Sequence, residues 1–257
     1  MTDSQTPVPG NDESDRRSRR SEKKQRSFWR ELPILVLVAL VLSFLLQTFV
    51  ARVYLIPSES MEPTLHGCNG CTGDRIVVEK VSYRFGDPQP GDVVVFRGPP
   101  SWDGDFVSTR SSNVVVRGAQ ELGSLVGLVA PDENDLVKRV IATGGQTVEC
   151  CDEQGRVLVD GQPLDEPYIT MDFDFVPNSL TCDTPIRSGR CFGPVTVPDG
   201  NVWVMGDNRS NSADSRFHVA DDLQGTVPVD NVIGKAQAIV LPPGRWGLID
   251  DPDIQQR

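Results

Sequence analysis

The sequence predicts a mainly β protein, with antiparallel sheets on one side of a membrane and a single N-terminal helix that crosses it. Three observations carry this reading. Leu32 to Ala51 is a stretch of twenty residues without a charge. Beyond it the chain runs in short valine-rich segments broken by Gly, Pro and Asp, with no long amphipathic periodicity. All six cysteines also lie beyond the apolar stretch.

The apolar stretch comes first. A helix of twenty residues at about 1.5 Å per residue spans roughly the 30 Å hydrocarbon core of a bilayer. A buried soluble helix usually keeps a polar face, and here only Ser43, Gln47 and Thr48 interrupt the apolar sequence. A cleaved secretory signal is the nearer competitor, but the stretch is longer than a usual signal core. Its end, Thr48-Phe49-Val50-Ala51-Arg52, lacks small residues at both expected positions. The segment 32–51 is therefore expected to remain as an anchor.

Charge sets its direction. The 257 residues carry 36 acids and 25 bases, a net of −11. That balance argues against a nucleic-acid partner, because phosphate binding needs clustered Lys and Arg. Residues 1–31 hold eight Lys or Arg against six acids, a net of +2, which leaves −13 for the rest. Basic residues before the helix place the N-terminus in the cytoplasm and residues 52–257 outside. Residues 1–27, rich in Ser, Asp and Arg, read as a disordered part of the 1–31 cytoplasmic tail. Cysteines confined to the outer part fit an oxidising compartment.

Cys68-Asn69-Gly70-Cys71 has the spacing of a redox or metal motif. Without a second such pair or suitably spaced histidines, a local disulfide is the preferred reading. Cys150 or Cys151 is expected to join Cys182 or Cys191 and tie a second region together.

The β segments read from the outer part are Arg75–Glu79, Asp92–Phe96, Asn113–Arg117, Leu136–Ile141, Arg156–Asp160, Val202–Met205 and Ala236–Leu241. Pro90-Gly91, Gly144-Gly145, Asp160-Gly161 and Asp199-Gly200 separate several of them. Connections too short for repeated crossover helices make the sheets antiparallel.

Chemistry centres on two residues. Ser58-Glu59-Ser60-Met61-Glu62-Pro63 lies just past the anchor, with a turn at Pro63 and a second hydroxyl two residues before Ser60. A serine nucleophile needs a base. The two histidines, His66 and His218, rule out a multi-histidine metal site and lie in no Gly-x-Ser-x-Gly context. Lys138 is the better base. Strand alternation puts Leu136, Lys138, Val140 and Ala142 on one face, so burial of that face desolvates the ammonium. Lowering a lysine from about 10.4 to about 7.5 takes roughly 4 kcal/mol against the charged form, within the reach of burial.

These residues belong to an ordered set of boxes. Ser58-x-Ser60-Met61-x-Pro63-Thr64-Leu65 is followed by Gly73-Asp74-Arg75-Ile76-Val77-Val78 and Gly91-Asp92-Val93-Val94-Val95-Phe96. Lys138-Arg139-Val140-Ile141 with Gly144-Gly145 comes next, and Gly206-Asp207-Asn208-Arg209-Ser210-Asn211-Ser212-Ala213-Asp214-Ser215-Arg216 closes the series. The chain thereby resembles the bacterial type I signal peptidases, membrane-anchored serine peptidases with a Ser-Lys dyad.

The resemblance implies Ser60 as nucleophile and Lys138 as general base. It implies an oxyanion hole from the Ser58 hydroxyl and the Ser60 N–H, with Ser212 orienting Lys138. Arg139, Asp207, Asp214 and Arg216 would be structural ion pairs beneath the site, and Met61 would line its substrate side. The resemblance implies no metal or cofactor. Exported pre-proteins with small residues before the cleavage site are the implied substrates, with the lipid bilayer and the export machinery as further partners. Residues 146–201 match no box and look like a small non-catalytic subdomain inserted in the β domain.

Ser210 stands where an acid is common in the family, and Phe217-His218-Val219 replaces a frequent aromatic and glycine pattern. Trp102 and Phe106 are candidates for lipid contact by the acidic body. Two alternatives are a Ser-Lys enzyme dedicated to one substrate and a membrane-tethered β-domain without catalysis.

Overall fold

The computed structural model describes residues 12–68, 70–105, 111, 113–125 and 134–255. They fall into two compact units, one through Leu45 and one from Leu46 onward. Helix α1 runs Asp12–Phe49. Its stretch Glu31–Phe49 has a mean hydropathy of 2.5 and is long and apolar enough to cross a membrane. Among the described residues none buries this stretch. An all-round apolar helix with no protein cover suits a lipid environment.

Helix α1 begins at Asp12, within the segment 1–27 that the composition reads as a disordered tail. The segment is rich in Arg, Lys and Glu, all good helix formers.

In chain order the body forms β1 (Ala51–Leu55), β2 (Arg75–Glu79), β3 (Val93–Arg97), α2 (Val114–Leu125), β4 (Asp135–Thr143), β5 (Thr147–Cys150), β6 (Val157–Val159) and β7 (Gln162–Pro163). These are followed by β8 (Phe192–Thr196), β9 (Asn201–Met205), β10 (Val227–Pro228), β11 (Val232–Leu241) and β12 (Gly247–Leu248). One sheet has the order β1-β2-β11-β3-β4-β9-β10, with β12 beside β11, and the other has the order β7-β6-β5-β8. Every strand pairing in both is antiparallel.

The strand expected over Asn113–Arg117 is instead the start of α2. Asn113 Oδ1 accepts from Val115 N at 3.0 Å and from Val116 N at 3.5 Å, a side-chain cap that satisfies the first amides of a helix. The cap outweighs the β preference of three consecutive valines.

β4 passes directly to β5 through Gly144-Gly145. Gly145 has φ +86°, and a Cβ on Gly144 would stand 2.9 Å from Asp199 Cα, so both positions need glycine. The core lies in three clusters. Ile56, Met61 and Leu65, from the segment around Ser60, pack with Ile76, Val78 and Val95. Val94, Phe96, Val140, Val202 and Val204 form a second cluster. Ile141, Trp203 and Met205 join the large sheet to Val148, Val157 and Val195 of the small one.

Trp102 sits in the second cluster at 7% exposure, edge-on to Phe96 and stacked on His218. It is a packing residue and is withdrawn as a lipid contact; Phe106 lies outside the described residues.

Candidate active site

Three segments converge on Ser60. Ser58 precedes a short 3-10 turn, Glu59–Met61, whose Met61 is anchored in the core. At 1% exposure Met61 supports the turn from beneath and does not line its mouth, which corrects its expected substrate-side place. The segment 206–211 holds the turn from the other side: Asn208 N donates to Ser60 O at 3.1 Å, and Asn208 Nδ2 donates to Glu59 O at 3.2 Å. Asn211 Nδ2 donates to Glu59 Oε2 at 3.1 Å. Ser58 Oγ lies 3.3 Å from Ser60 Oγ.

β4 delivers the lysine. Lys138 pairs across the sheet with Val94, and its flanking same-face neighbours Leu136 and Val140 pack in the Val94 cluster. Alternation holds only that far. A register shift between Val140 and Ala142 turns Ala142 into the cluster of Ile141, so the expected four-residue face stops at three.

Lys138 is 4% exposed. Its Nζ donates to Ser60 Oγ at 2.7 Å and to Val137 O at 3.0 Å. Burial lowers its pKa to about 8; Asp214 and Asp207 pull upward against that, and Arg216 adds to the lowering. Near that pH a large share of the side chain is neutral amine, and the same contact then runs from the Ser60 O–H to the Nζ lone pair.

Two buried ion pairs lie beneath. Arg139 grips Asp207 with two bonds, Nε to Oδ1 at 3.0 Å and Nη2 to Oδ2 at 2.8 Å. Its Nη1 donates to Gly91 O and Asp250 O, and its guanidinium carbon lies 4.0 Å from the centre of the Tyr168 ring. Thr64 Oγ1 also donates to Asp207. Arg216 holds Asp214 in the same two-bond way at 2.8 and 2.9 Å. Burial alone would raise the Asp214 pKa, but the Arg216 fork and the Gly206 N–H more than offset it and keep the carboxyl below its usual range.

Ser212 differs from its expected place on Lys138. Its buried Oγ lies near the Asp214 carboxylate yet reaches hydrogen-bond geometry with no partner. Gly206 explains how closely these groups are packed. A Cβ there would stand 2.2 Å from Ser212 Oγ and 2.4 Å from Ser60 O. Gly206→Ala is therefore expected to destabilise the protein by about 1–3 kcal/mol, the usual cost of overpacking, and to lower kcat by displacing Ser60. Thermal unfolding and steady-state kinetics check this, and unchanged values in both would contradict the packing.

The sequence reading missed several contributors. Glu166 pairs with Arg209 and Tyr168 covers Arg139, and both come from the segment 146–201 regarded as a separate insertion. Met171 adds a β-bridge to Asn208. Tyr168-adjacent composition gave no motif; only its place against a buried arginine reveals it. Neither histidine approaches Ser60: His66 Nδ1 is on Glu62, and His218 is on Trp102.

Cys68–Cys71 is a disulfide, as the sequence suggested. The expected cross-link between the 150–151 and 182–191 segments is corrected, because the bonds are Cys150–Cys151 and Cys182–Cys191. The two segments do meet, with a Cys182 Sγ contact of 3.3 Å to Cys150 O, but each sulfur bonds its nearer neighbour in sequence.

The family described as "Signal peptidase, peptidase S26" matches residues 29–241. The chain is 58% identical over 239 residues to Signal peptidase I of Mycobacterium tuberculosis, covering 90% of this chain and 79% of the relative. It is 54% identical over 250 residues to the probable signal peptidase I of Mycobacterium leprae, covering 92% and 84%. Against the probable signal peptidase I-1 of a Synechocystis strain it is 42% identical over 222 residues, covering 86% and 87%. A match of this extent, over the segments that carry Ser60, Lys138 and both ion pairs, places the chain in the signal peptidase family, peptidase S26.

Proposed function

We propose that the chain removes signal peptides from exported pre-proteins with Ser60 as nucleophile and Lys138 as general base. Its family makes it a serine endopeptidase; the observation that carries the assignment of residues is the 2.7 Å contact between Lys138 Nζ and Ser60 Oγ, made by a buried lysine. Neutral Nζ takes the Ser60 proton as Oγ adds to the scissile carbonyl. The oxyanion is held by the Ser58 hydroxyl and the Ser60 N–H. Collapse passes the proton from Nζ to the leaving amine, and water then hydrolyses the ester with Lys138 again as base.

The substrate's own apolar segment shares the bilayer with α1, whose basic tail faces the cytoplasm while the body works outside. The body offers lipid an apolar face despite its net acidity. Val53, Val77, Ala238 and Leu248 stand in register across β1, β2, β11 and β12 on the side away from the core. Val53 is 52% and Leu248 81% exposed, with Trp246 exposed beside them.

Because the base acts as the neutral amine, kcat/KM on a pre-protein should rise with pH along an acid limb with an apparent pKa of about 8. A profile already flat from about pH 6 would remove Lys138 from the role.

A further inference from the structure

The turn that follows the Ser60 segment gathers metal-type donors that peptide hydrolysis does not use. His66, Cys68 and Cys71 form a His-x-Cys-x-x-Cys sequence. A His66 ring nitrogen and both sulfurs lie within 4.8 Å of one another. Glu62 Oε1 sits on His66 Nδ1. A carboxylate on Nδ1 orients the ring and leaves the Nε2 lone pair to a ligand, the usual support for a metal-bound histidine. Cys71 is exposed and His66 and Cys68 are half-buried, so dithiols and ions reach the loop from solvent.

The loop is framed independently of its sulfurs. His66 N donates to Asp74 Oδ2, Asp74 N donates to His66 O, each at 2.7 Å, and Arg245 clasps Asp74 from outside. The frame presses on the Ser58 backbone: a Cβ on Gly67 would stand 2.5 Å from Ile56 O and 2.8 Å from Ser58 O. Whatever closes the loop over residues 66–74 therefore bears on the segment leading to Ser60.

We propose that Cys68, Cys71 and His66 Nε2 form a site for a zinc-class divalent cation when their disulfide is reduced, with Glu62 behind the imidazole and the fourth position open to water. Disulfide and metal are then alternative closures of one loop. In the reduction one thiolate of a dithiol breaks the Cys68–Cys71 bond to form a mixed disulfide, and its second thiol then displaces the remaining cysteine as the reagent leaves as a cyclic disulfide, two electrons and two protons passing to the cysteines. Metal binding releases those two protons to solvent, and two thiolates balance the dication. Tetrahedral zinc, with Zn–S about 2.3 Å and Zn–N about 2.0–2.1 Å, sets its donors roughly 3.5–3.8 Å apart, so donors already gathered this closely need only local side-chain shifts.

Cobalt(II) is the probe. The full-length protein in detergent is reduced with a dithiol, freed of reductant without air and titrated. The reduced protein should bind one equivalent at this loop with thiolate-to-cobalt charge-transfer absorption, and the oxidised protein should give none. Cys71→Ser should abolish that equivalent, and Glu62→Gln, which keeps all three ligands and the fold, should weaken it by about 10–100-fold. Cys182→Ser separates this site from the other sulfur cluster, Cys151, Cys182 and Cys191, and should leave it intact. Absorption that survives Cys71→Ser unchanged but disappears in Cys182→Ser would overturn the proposal. So would the absence of any thiolate band, including absence because reduction unfolds the protein, since the site requires the folded loop.

Discussion

Replacing Lys138 by methionine is expected to abolish cleavage and, at neutral pH, to make the protein more stable. Loss of the base should cut kcat/KM by about 10⁴-fold or more, because nucleophile and base act as a unit and what survives comes from the oxyanion hole and binding alone. Ser60→Ala should fall to the same floor, and the double variant no further. The gain in stability follows from linkage. Lys138 has its pKa lowered to about 8 in the fold, against about 10.4 for an unfolded lysine. Below pH 8 both states are protonated, and the folded one carries the cost of a buried ammonium, about 3 kcal/mol from this difference. Between pH 8 and about 10.4 the unfolded state holds the extra proton, so wild-type stability rises with pH and the cost disappears. Methionine fills a similar volume without charge. Thermal unfolding of the full chain in detergent should give the variant a higher Tm at pH 7, with the gap narrowing towards pH 10. A variant less stable than wild type at pH 7 would mean that the lysine is not desolvated, and the account of its basicity would fail with it. A site that costs stability in order to hold a reactive group is a common exchange in enzymes.

Much of this site is legible in the sequence, for definite reasons. Ser58, Ser60, Lys138 and the 206–216 segment are contiguous in sequence with residues whose backbone demands are strict, so they travel as boxes. Gly206 is one such demand: the Ser60 carbonyl lies where its Cβ would be. Strands β2, β3, β4, β6 and β9 were readable because each carries Val or Ile in a short segment near breakers, whereas β11 was readable only over its second half, Ala236–Leu241, because Gly234 and Lys235 interrupt its start. β1 was not, since its first residue, Ala51, is also the last of the apolar stretch and only Arg52 separates that stretch from Val53, Tyr54 and Leu55. β8 contains Gly193-Pro194 and carries no strand pattern. At Asn113 a single side-chain cap reversed the preference of the three valines after it. The contribution of Glu166 and Tyr168 was invisible for another reason. They act on arginines 43 and 29 residues away in sequence, and no local pattern encodes a stacking partner chosen by how β5 to β8 fold back on the large sheet. The pairing of Cys150, Cys151, Cys182 and Cys191 failed on similar grounds, because the segments that carry them meet and proximity alone does not select partners.

Asp207→Ala is expected to be the most destabilising single change at the site and also to shift the pH profile. Arg139 is 1% and Asp207 0% exposed, so removing the carboxylate strands a guanidinium that water cannot reach. Breaking a buried pair from one side costs about 3–5 kcal/mol, whereas replacing both partners by apolar residues can be nearly neutral. Arg139→Met with Asp207→Leu should accordingly recover much of the loss, giving a coupling that a double-mutant cycle in chemical unfolding measures directly. The kinetic consequence has a definite sign. The Asp207 charge raises the Lys138 pKa against the effect of burial. Without it the lysine titrates lower, and the acid limb of kcat/KM should move below pH 8. Asp207→Asn, which keeps shape and some hydrogen bonding, isolates this effect: the limb should shift in the same direction with a smaller loss of stability. If stability falls while the limb stays in place, the pair holds the fold together and does nothing to the base. If the limb moves in both variants, the ion pairs beneath Ser60 set the pH at which Lys138 works, and their burial is part of the chemistry.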